Sequence, residues 1–140
     1  MGLDPNIWGP KGWFFLHSIA LTYPPNPTDE DKKNYKMFFE TLGGVLPCLD
    51  CQNHYKKNIK KLPIDDNLEN NKKLNRWLVE IHNEVNKSTG KPLVNYNEYI
   101  ENYKKIYENK KNYLYYIIIK LLIIILFFIY YHINNLKLYI

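Results

Sequence analysis

Apolar residues in the first 112 positions recur at helical rather than strand spacing. Turn signals at Pro24-Pro25-Asn26-Pro27, Gly43-Gly44, Pro63 and Thr89-Gly90-Lys91-Pro92 cut this stretch into four or five helices. The clearest carries Leu74, Trp77, Leu78, Ile81, His82 and Val85 at i, i+3, i+4, i+7, i+8 and i+11, and closes at Gly90 and Pro92. Another follows Thr28, a capping residue, with Asp29, Glu30 and Asp31 at its positive end and Tyr35, Phe38, Phe39 and Leu42 on one face. The first helix is predicted from about Pro10 to Tyr23, with Pro10 suited to the opening turn and Trp13, Leu16, His17 and Ala20 on one face. A further helix starts beside Pro47 and runs through Cys48, Cys51, His54 and Tyr55 into a lysine-rich stretch, with a thin apolar face. A shorter one, from about Asn97 to Glu108, carries Tyr99, Ile100, Tyr103 and Tyr107. The fold class is all-α.

The pattern changes near residue 112. From Tyr113 to Ile133 the chain has 21 residues and one formal charge, Lys120, and a bilayer core about 30 Å thick needs roughly 20 such residues in a helix. Tyr113, Tyr115, Tyr116, Tyr130 and Tyr131 stand near the ends of the run, where amphipathic rings prefer the headgroup level. A buried helix of a soluble fold would show the same composition, but a domain this small could hardly cover it on all sides. The expected organisation is a domain over residues 1–112, a transmembrane helix over 113–133 and a short tail over 134–140. Lys104, Lys105, Lys110 and Lys111 precede the span and only Lys137 follows it, which puts the domain on the cytoplasmic side.

Charge adds little to this. Nineteen Lys and Arg against fourteen Asp and Glu give a net charge of +5, but they are interspersed with Tyr, Trp and Leu. That distribution reads as a solvated surface and argues against nucleic acid. The opening Met1-Gly2-Leu3-Asp4-Pro5-Asn6 lacks the basic start and apolar run of a secretory signal, and Asn6 leaves a myristoylation pattern incomplete.

The two cysteines, Cys48 and Cys51, are too few for a disulfide-stapled scaffold. Their spacing fits a redox dithiol, half of a metal site or two buried thiols. A zinc site needs four ligands, and His54 is the only other candidate nearby. A redox pair near a helix N-terminus would be activated by the helix dipole and the unpaired N–H groups there. Around this pair the flanks are helical, unlike a thioredoxin motif, so a helical redox domain needs another electron acceptor. Trp13, His17, His54, Trp77, His82, Asn83, Asn86 and Lys91 can stack on a flat cofactor or bond its polar edges. Each alone reads as a core or surface residue, and it is their occurrence beside a dithiol that changes the reading. Leu78, His82 and Asn86 form one row at i, i+4 and i+8, and a bound cofactor would supply partners for its polar groups.

These residues resemble the Erv/ALR family of FAD-linked sulfhydryl oxidases, in order along the chain. Trp8-Gly9-Pro10-Lys11-Gly12-Trp13-Phe14-Phe15-Leu16-His17 resembles the family's W-G-x-x-x-W-x-x-L-H opening. Tyr23-Pro24 and Pro27 follow before the second helix. Leu46-Pro47-Cys48-Leu49-Asp50-Cys51-Gln52-Asn53-His54 resembles P-C-x-x-C-x-x-H, and His82-Asn83-Glu84-Val85-Asn86 with Gly90-Lys91-Pro92 resembles H-N-x-V-N and G-K-P. Together these motifs span about residues 8–103. The resemblance implies a helical bundle that holds FAD against the dithiol helix. Trp13, His17, Tyr23, Cys51, His54, His82, Asn83, Asn86 and Lys91 would then line the cofactor, and Tyr103 stands where many members carry tryptophan. It further implies that a substrate thiolate attacks Cys48 of a Cys48–Cys51 disulfide and that Cys51 passes the electrons to the flavin. Oxygen reoxidises the flavin and gives hydrogen peroxide.

Two departures narrow the expectation. Tyr96 occupies the place of a cysteine found in many relatives, so no internal shuttle dithiol exists and the electrons come from a partner, a small thiol-disulfide shuttle protein as for compact viral members. The hydrophobic tail is the second departure, and it tethers the enzyme. The resemblance to viral members makes a cytoplasm-facing oxidase intelligible as part of a dedicated pathway for virion membrane proteins, with a lumenal domain as the alternative, and the resemblance also implies a homodimer. The competing readings are a membrane-anchored helical interaction module and a flavin-free disulfide carrier.

Overall fold

The computed structural model describes residues 2–137, with side chains given outside 109–112 and 135–137. Its helices are α1 (Pro5–Leu21), α2 (Asp29–Leu42), α3 (Leu49–Lys61), α4 (Asn71–Thr89) and α5 (Tyr96–Lys137), with a 3-10 turn at Asp65–Asn67. No strand occurs among the described residues. The chain forms two units, Met1–Tyr99 and Ile100–Ile140.

The first unit is organised around α4, against which α1 and α3 pack. Leu74, Trp77, Leu78, Val79 and Ile81 of α4 are buried, together with Asn75 and Asn86. They join Leu16, Ala20, Tyr23, Phe39, Tyr55, Ile64 and Leu68 in one core. Its large aromatics all place their polar ends on a carbonyl: Tyr23 Oη–H donates to Leu68 O, Tyr55 Oη–H to Phe39 O and Trp77 Nε1–H to Leu62 O, at 2.8, 2.9 and 2.8 Å. Burial therefore leaves none of these three donors unpaired, which is the condition for a tyrosine or tryptophan to sit in a dry core.

Helix ends follow local chemistry. Thr28 caps α2 in a reciprocal box with Asp31, whose carboxylate accepts from Thr28 N–H. α4 closes at Gly90, which adopts φ 67°, a left-handed conformation that glycine takes without a Cβ clash. Gly43, just past α2, matters for space instead. A Cβ there would stand 3.0 Å from Tyr55 Cδ1 and 3.1 Å from Lys56 Cγ, so a larger residue would push the buried Tyr55 ring where α2 approaches α3.

Two boundaries differ from expectation. α1 begins at Pro5 rather than Pro10, because Asp4 caps it by accepting from Asn6 N–H and Pro5 occupies the opening turn. Pro10 lies inside the helix, where it removes one backbone donor. The short helix expected to stop near Glu108 runs on through the apolar stretch as α5, since neither glycine nor proline interrupts residues 96–137. In the second unit, side chains from Leu114 to Leu126 are largely exposed, and none of the most apolar window is buried. The helix is long and apolar enough to cross a membrane. Of the expected tail at 134–140, residues 138–140 lie outside the described residues.

Trp77 is 1% exposed and meets Phe39 edge-on at 5.2 Å. Trp77→Ala should lower unfolding free energy by about 3–5 kcal/mol. Trp77→Phe, which keeps one aromatic ring but removes the donor to Leu62 O, should cost about 1–3 kcal/mol. Urea denaturation of the detergent-solubilised chain measures both, and equal losses would mean that the hydrogen bond rather than the ring anchors α4.

Candidate functional site

Cys48 is the N-cap of α3 and Cys51 lies in its first turn, so the two approach to a Cα separation of 5.1 Å and are joined as a disulfide. Cys51 N–H donates to Cys48 Sγ at 3.2 Å. A sulfur therefore does what a serine or aspartate oxygen does at most helix starts. Negative charge on that sulfur would face the positive end of the helix dipole, which favours a thiolate once the disulfide opens. Both cysteines are half-buried. Two main-chain bonds hold the loop before them, Cys48 N–H to Leu46 O at 2.8 Å and Leu3 N–H to Pro47 O at 2.7 Å. Gln52 Nε2 also donates to Leu46 O, at 2.8 Å. His54, one turn beyond Cys51, is exposed.

A second cluster forms where α1 meets α4. The Trp13 and His82 rings stack with centroids 3.9 Å apart and planes within 9°. His17 Nε2 and His82 Nδ1 share a hydrogen bond of 3.0 Å. Tyr99, at the start of α5 and still within the first unit, packs its ring 4.4 Å from His17. Its hydroxyl lies 3.0 Å from Asn75 Oδ1 and 3.3 Å from His17 O, and can donate to either. Burial, helped by His82, pushes His17 down to about 3. Burial, helped by the Lys91 ammonium, pushes His82 down to about 4. Both rings are thus neutral at pH 7, and the bond between them carries a single proton.

The asparagines do something the row along α4 did not suggest. Asn83 Nδ2–H donates to Val94 O at 3.0 Å while its Oδ1 accepts from Val94 N–H at 2.7 Å. Asn86 Nδ2–H donates to Pro92 O at 2.9 Å, and Lys91 N–H donates to Asn86 O at 2.9 Å. The loop after Gly90 thus supplies a partner for the Asn86 amide nitrogen and for both polar atoms of the Asn83 side chain. Lys91 is carried on this loop and is exposed. Tyr23 is buried in the core, its hydroxyl engaged by Leu68 O. Tyr103 belongs to the second unit, one helical turn beyond Tyr99.

Of the residues singled out in the sequence, the structure brings together Trp13, His17 and His82, with Lys91 close enough to bias His82. It places Cys48, Cys51 and His54 on α3, which like α1 packs on α4. Asn75 and Tyr99 were not singled out for this site, and spacing along their own helices does not distinguish them from ordinary core residues.

A flat ring stack, two neutral imidazoles and a nearby ammonium suit a ligand with a planar heteroaromatic part and an anionic part. FAD has both, so the donor set fits it.

Comparison with known proteins agrees with this chemistry. Residues 10–107 match the model of the Erv1 / Alr family. A protein of Acanthamoeba polyphaga mimivirus, named as a probable FAD-linked sulfhydryl oxidase, is 42% identical over 114 residues, covering 81% of this chain and 80% of that protein. The mitochondrial FAD-linked sulfhydryl oxidase of Saccharomyces cerevisiae is 36% identical over 64% of this chain, which spans 46% of the yeast protein. The crystal structure of the FAD-binding domain of Erv1 from Saccharomyces cerevisiae superposes with a TM-score of 0.68 at 33% identity, covering 74% of this chain and 96% of that domain. With a matched model over most of its length and a dithiol capping the third helix, the chain belongs to the Erv1/Alr family.

Proposed function

We infer that the chain is an FAD-linked sulfhydryl oxidase that converts protein dithiols to disulfides and delivers the electrons to oxygen as hydrogen peroxide. The observation that carries this reading is the Cys48–Cys51 disulfide at the N-terminus of α3 in a chain of this family.

Cys48 receives the substrate. A substrate thiolate attacks Cys48 Sγ, the Cys48–Cys51 bond breaks, and Cys51 leaves as a thiolate. The substrate's second thiol, deprotonated, then attacks the mixed disulfide and releases Cys48. Exchange is faster when the leaving sulfur has a low pKa, and the N-cap bond from Cys51 N–H, together with the α3 dipole, supplies that to Cys48. Bound beside Cys51 by Trp13, His17, His82 and Lys91, FAD would supply the electron acceptor that links the reduced dithiol to oxygen.

The remaining residues hold the cofactor. Trp13, stacked by His82, offers a flat face for ring stacking. The neutral imidazoles of His17 and His82 offer hydrogen bonds without placing a buried cation beside the flavin. Lys91 suits the phosphates as a point charge. Asn83 and Asn86 act through the loop they pin, which fixes where Lys91 stands. His54 and Tyr23 complete the set in the first unit, with Tyr23 fixed in the core just past α1 by its bond to Leu68 O, and Tyr103 is assigned by the family resemblance alone.

We further propose that residues 1–112 act as the oxidase domain, that 113–133 cross a bilayer and that 134–140 form a tail. The exposed apolar surface of α5 supports the anchor. The lysines before the span favour a cytoplasmic-side domain, in a host or virion membrane, with a small shuttle protein as dithiol donor. Ile7 and Phe15 on α1 and Met37 on α2, 72%, 60% and 55% exposed, offer apolar surface to a second copy in a homodimer.

Three outcomes are expected. The purified chain should carry flavin absorbance and consume oxygen with dithiothreitol, whereas Cys51→Ser should keep the flavin and lose at least a hundredfold of the uptake, since the relay to the cofactor is cut. A colourless protein that takes up no added FAD would sink the oxidase reading.

Between pH 7 and 5, stability should fall. The unfolded chain protonates both histidines near 6.5, whereas the folded pair resists protonation down to about 4 and about 3. The unfolded state therefore binds more protons in this window, so unfolding becomes easier as pH drops. Urea midpoints should show this slope, and His82→Gln should flatten it by about half. A flat profile in the unaltered chain would mean that the histidines are charged in the fold.

Mixed with phospholipid vesicles and spun through a density gradient, the full chain should float with the lipid, whereas residues 1–112 alone should stay at the bottom. Flotation of both would assign membrane contact to the domain instead of α5.

A further inference from the structure

Next to the disulfide, the start of the chain folds back on the dithiol loop. Leu3 N–H donates to Pro47 O, Trp8 Nε1–H donates to Leu3 O at 3.3 Å, and Asp4 caps α1. These bonds lay Gly2 and Leu3 against Pro47 and Cys48. A Cβ on Gly2 would stand 3.5 Å from Cys48 Cα and 4.0 Å from Cys48 Cβ. The result is an open depression of about 280 Å³ with Gly2, Leu3, Leu46, Pro47, Leu49 and Gln52 around Cys48.

What this depression can offer a visitor follows from its hydrogen bonds. Pro47 O accepts from Leu3 N–H, Leu3 O from Trp8, Leu46 O from Cys48 N–H and Gln52 Nε2, and Cys48 O from Gln52 N–H. Four carbonyls of the lining, those of Leu3, Leu46, Pro47 and Cys48, thus already accept hydrogen bonds and have less to offer an incoming backbone. Apolar surface remains, because Leu3 and Leu49 are 65% and 66% exposed. The carboxylates nearest in sequence, Asp4 and Asp50, are exposed as well.

We propose that this depression is the substrate-docking site, and that it selects a protein segment carrying an apolar side chain beside its attacking cysteine. The proposal rests on the oxidase reading above and names which dithiols that oxidase prefers. Cys48, one of the two disulfide cysteines, stands in the lining, so an occupant that carries a thiol is brought beside the bond it attacks. Leucine and proline surface rewards an apolar neighbour of that thiol by removing it from water. A small hydrophilic thiol gains nothing from Leu3 and Leu49, and an anionic one such as glutathione meets Asp50 between the two cysteines. In the step itself, the substrate thiolate forms a bond to Cys48 Sγ as the Cys48–Cys51 bond breaks. The second substrate thiol then closes the substrate disulfide, leaving Cys48 and Cys51 reduced and its proton with solvent.

Oxygen uptake by the detergent-solubilised full chain tests this with three reductants: a peptide with two cysteines flanked by leucine, the same peptide with serine in place of leucine, and dithiothreitol. The leucine peptide should show a kcat/KM about tenfold above the serine peptide. In Leu3→Ser/Leu49→Ser that preference should vanish while dithiothreitol oxidation stays at the unaltered rate. Equal use of the two peptides by the unaltered chain would overturn the proposal and leave the oxidase reading intact, as would a variant that retains the preference. If the variant loses dithiothreitol oxidation too, the unaltered chain's preference between peptides decides alone. Absence of uptake with every reductant would instead remove the oxidase reading and the docking site with it.

Discussion

The first unit depends on how α4 satisfies the C-terminal end of α1. A helix leaves its last carbonyls without intrahelical donors, and α1 ends without a basic residue in its last turn to meet them. Asn71 and Asn75, a turn apart on α4, provide the donors. Asn71 Nδ2 lies 2.6 Å from Tyr23 O and 3.0 Å from Leu21 O, and Asn75 Nδ2 lies 2.9 Å from Ala20 O. Asn75 then accepts at Oδ1 from Tyr99, so the same side chain ties α1, α4 and the start of α5. A buried amide satisfied on both ends fixes register in a way that apolar packing alone does not, since leucine contacts tolerate sliding. With the register of α1 on α4 set, Trp13 and His17 face His82 rather than some other turn of the helix.

α3 is held by different means. Its apolar face is thin, with Tyr55 buried and Ile59 and Leu62 only partly so. The end that matters chemically is secured by main-chain bonds to Leu46, Pro47 and Leu3, by the Gln52 amide and by the cap at Cys48. A redox pair has to open and close at each turnover while the helix start keeps its shape. Because the surrounding loop is pinned by bonds that do not involve the S–S link, opening the disulfide leaves the scaffold around both sulfurs in place, and the N-cap bond from Cys51 N–H still has its acceptor.

Local signals were legible wherever one residue type has one physical reason to be there. Thr28 with Asp31, Gly90, and the apolar stripe from Leu74 to Ile81 announced their elements directly, and the ordered motifs from Trp8 to Pro92 announced the family. The errors came where two local signals competed or where none existed. Pro5 and Pro10 both suit an opening turn, and Asp4 decides between them. Between Glu108 and Tyr113 the change in composition suggested a boundary, yet composition breaks no helix without glycine or proline, so α5 continues. The meeting of Asn75, Tyr99 and His17 and the return of Gly2 and Leu3 to Cys48 join residues 24 to 82 positions apart, or 46, by tertiary bonds that no window along the chain contains.

The histidine pair shows how the same packing bears on the chemistry. Two imidazoles 3.0 Å apart cannot both be charged at low cost, and burial penalises even one charge. Lys91, held near by the loop that Asn83 and Asn86 pin, adds a third reason for His82 to stay neutral. The exposed Lys91 ammonium therefore carries positive charge near His82, while the two imidazoles themselves remain uncharged. For a ligand that is anionic at one end and planar at the other, a neutral ring stack beside an exposed ammonium would supply orientation as well as affinity, because the two parts of the ligand would find different partners.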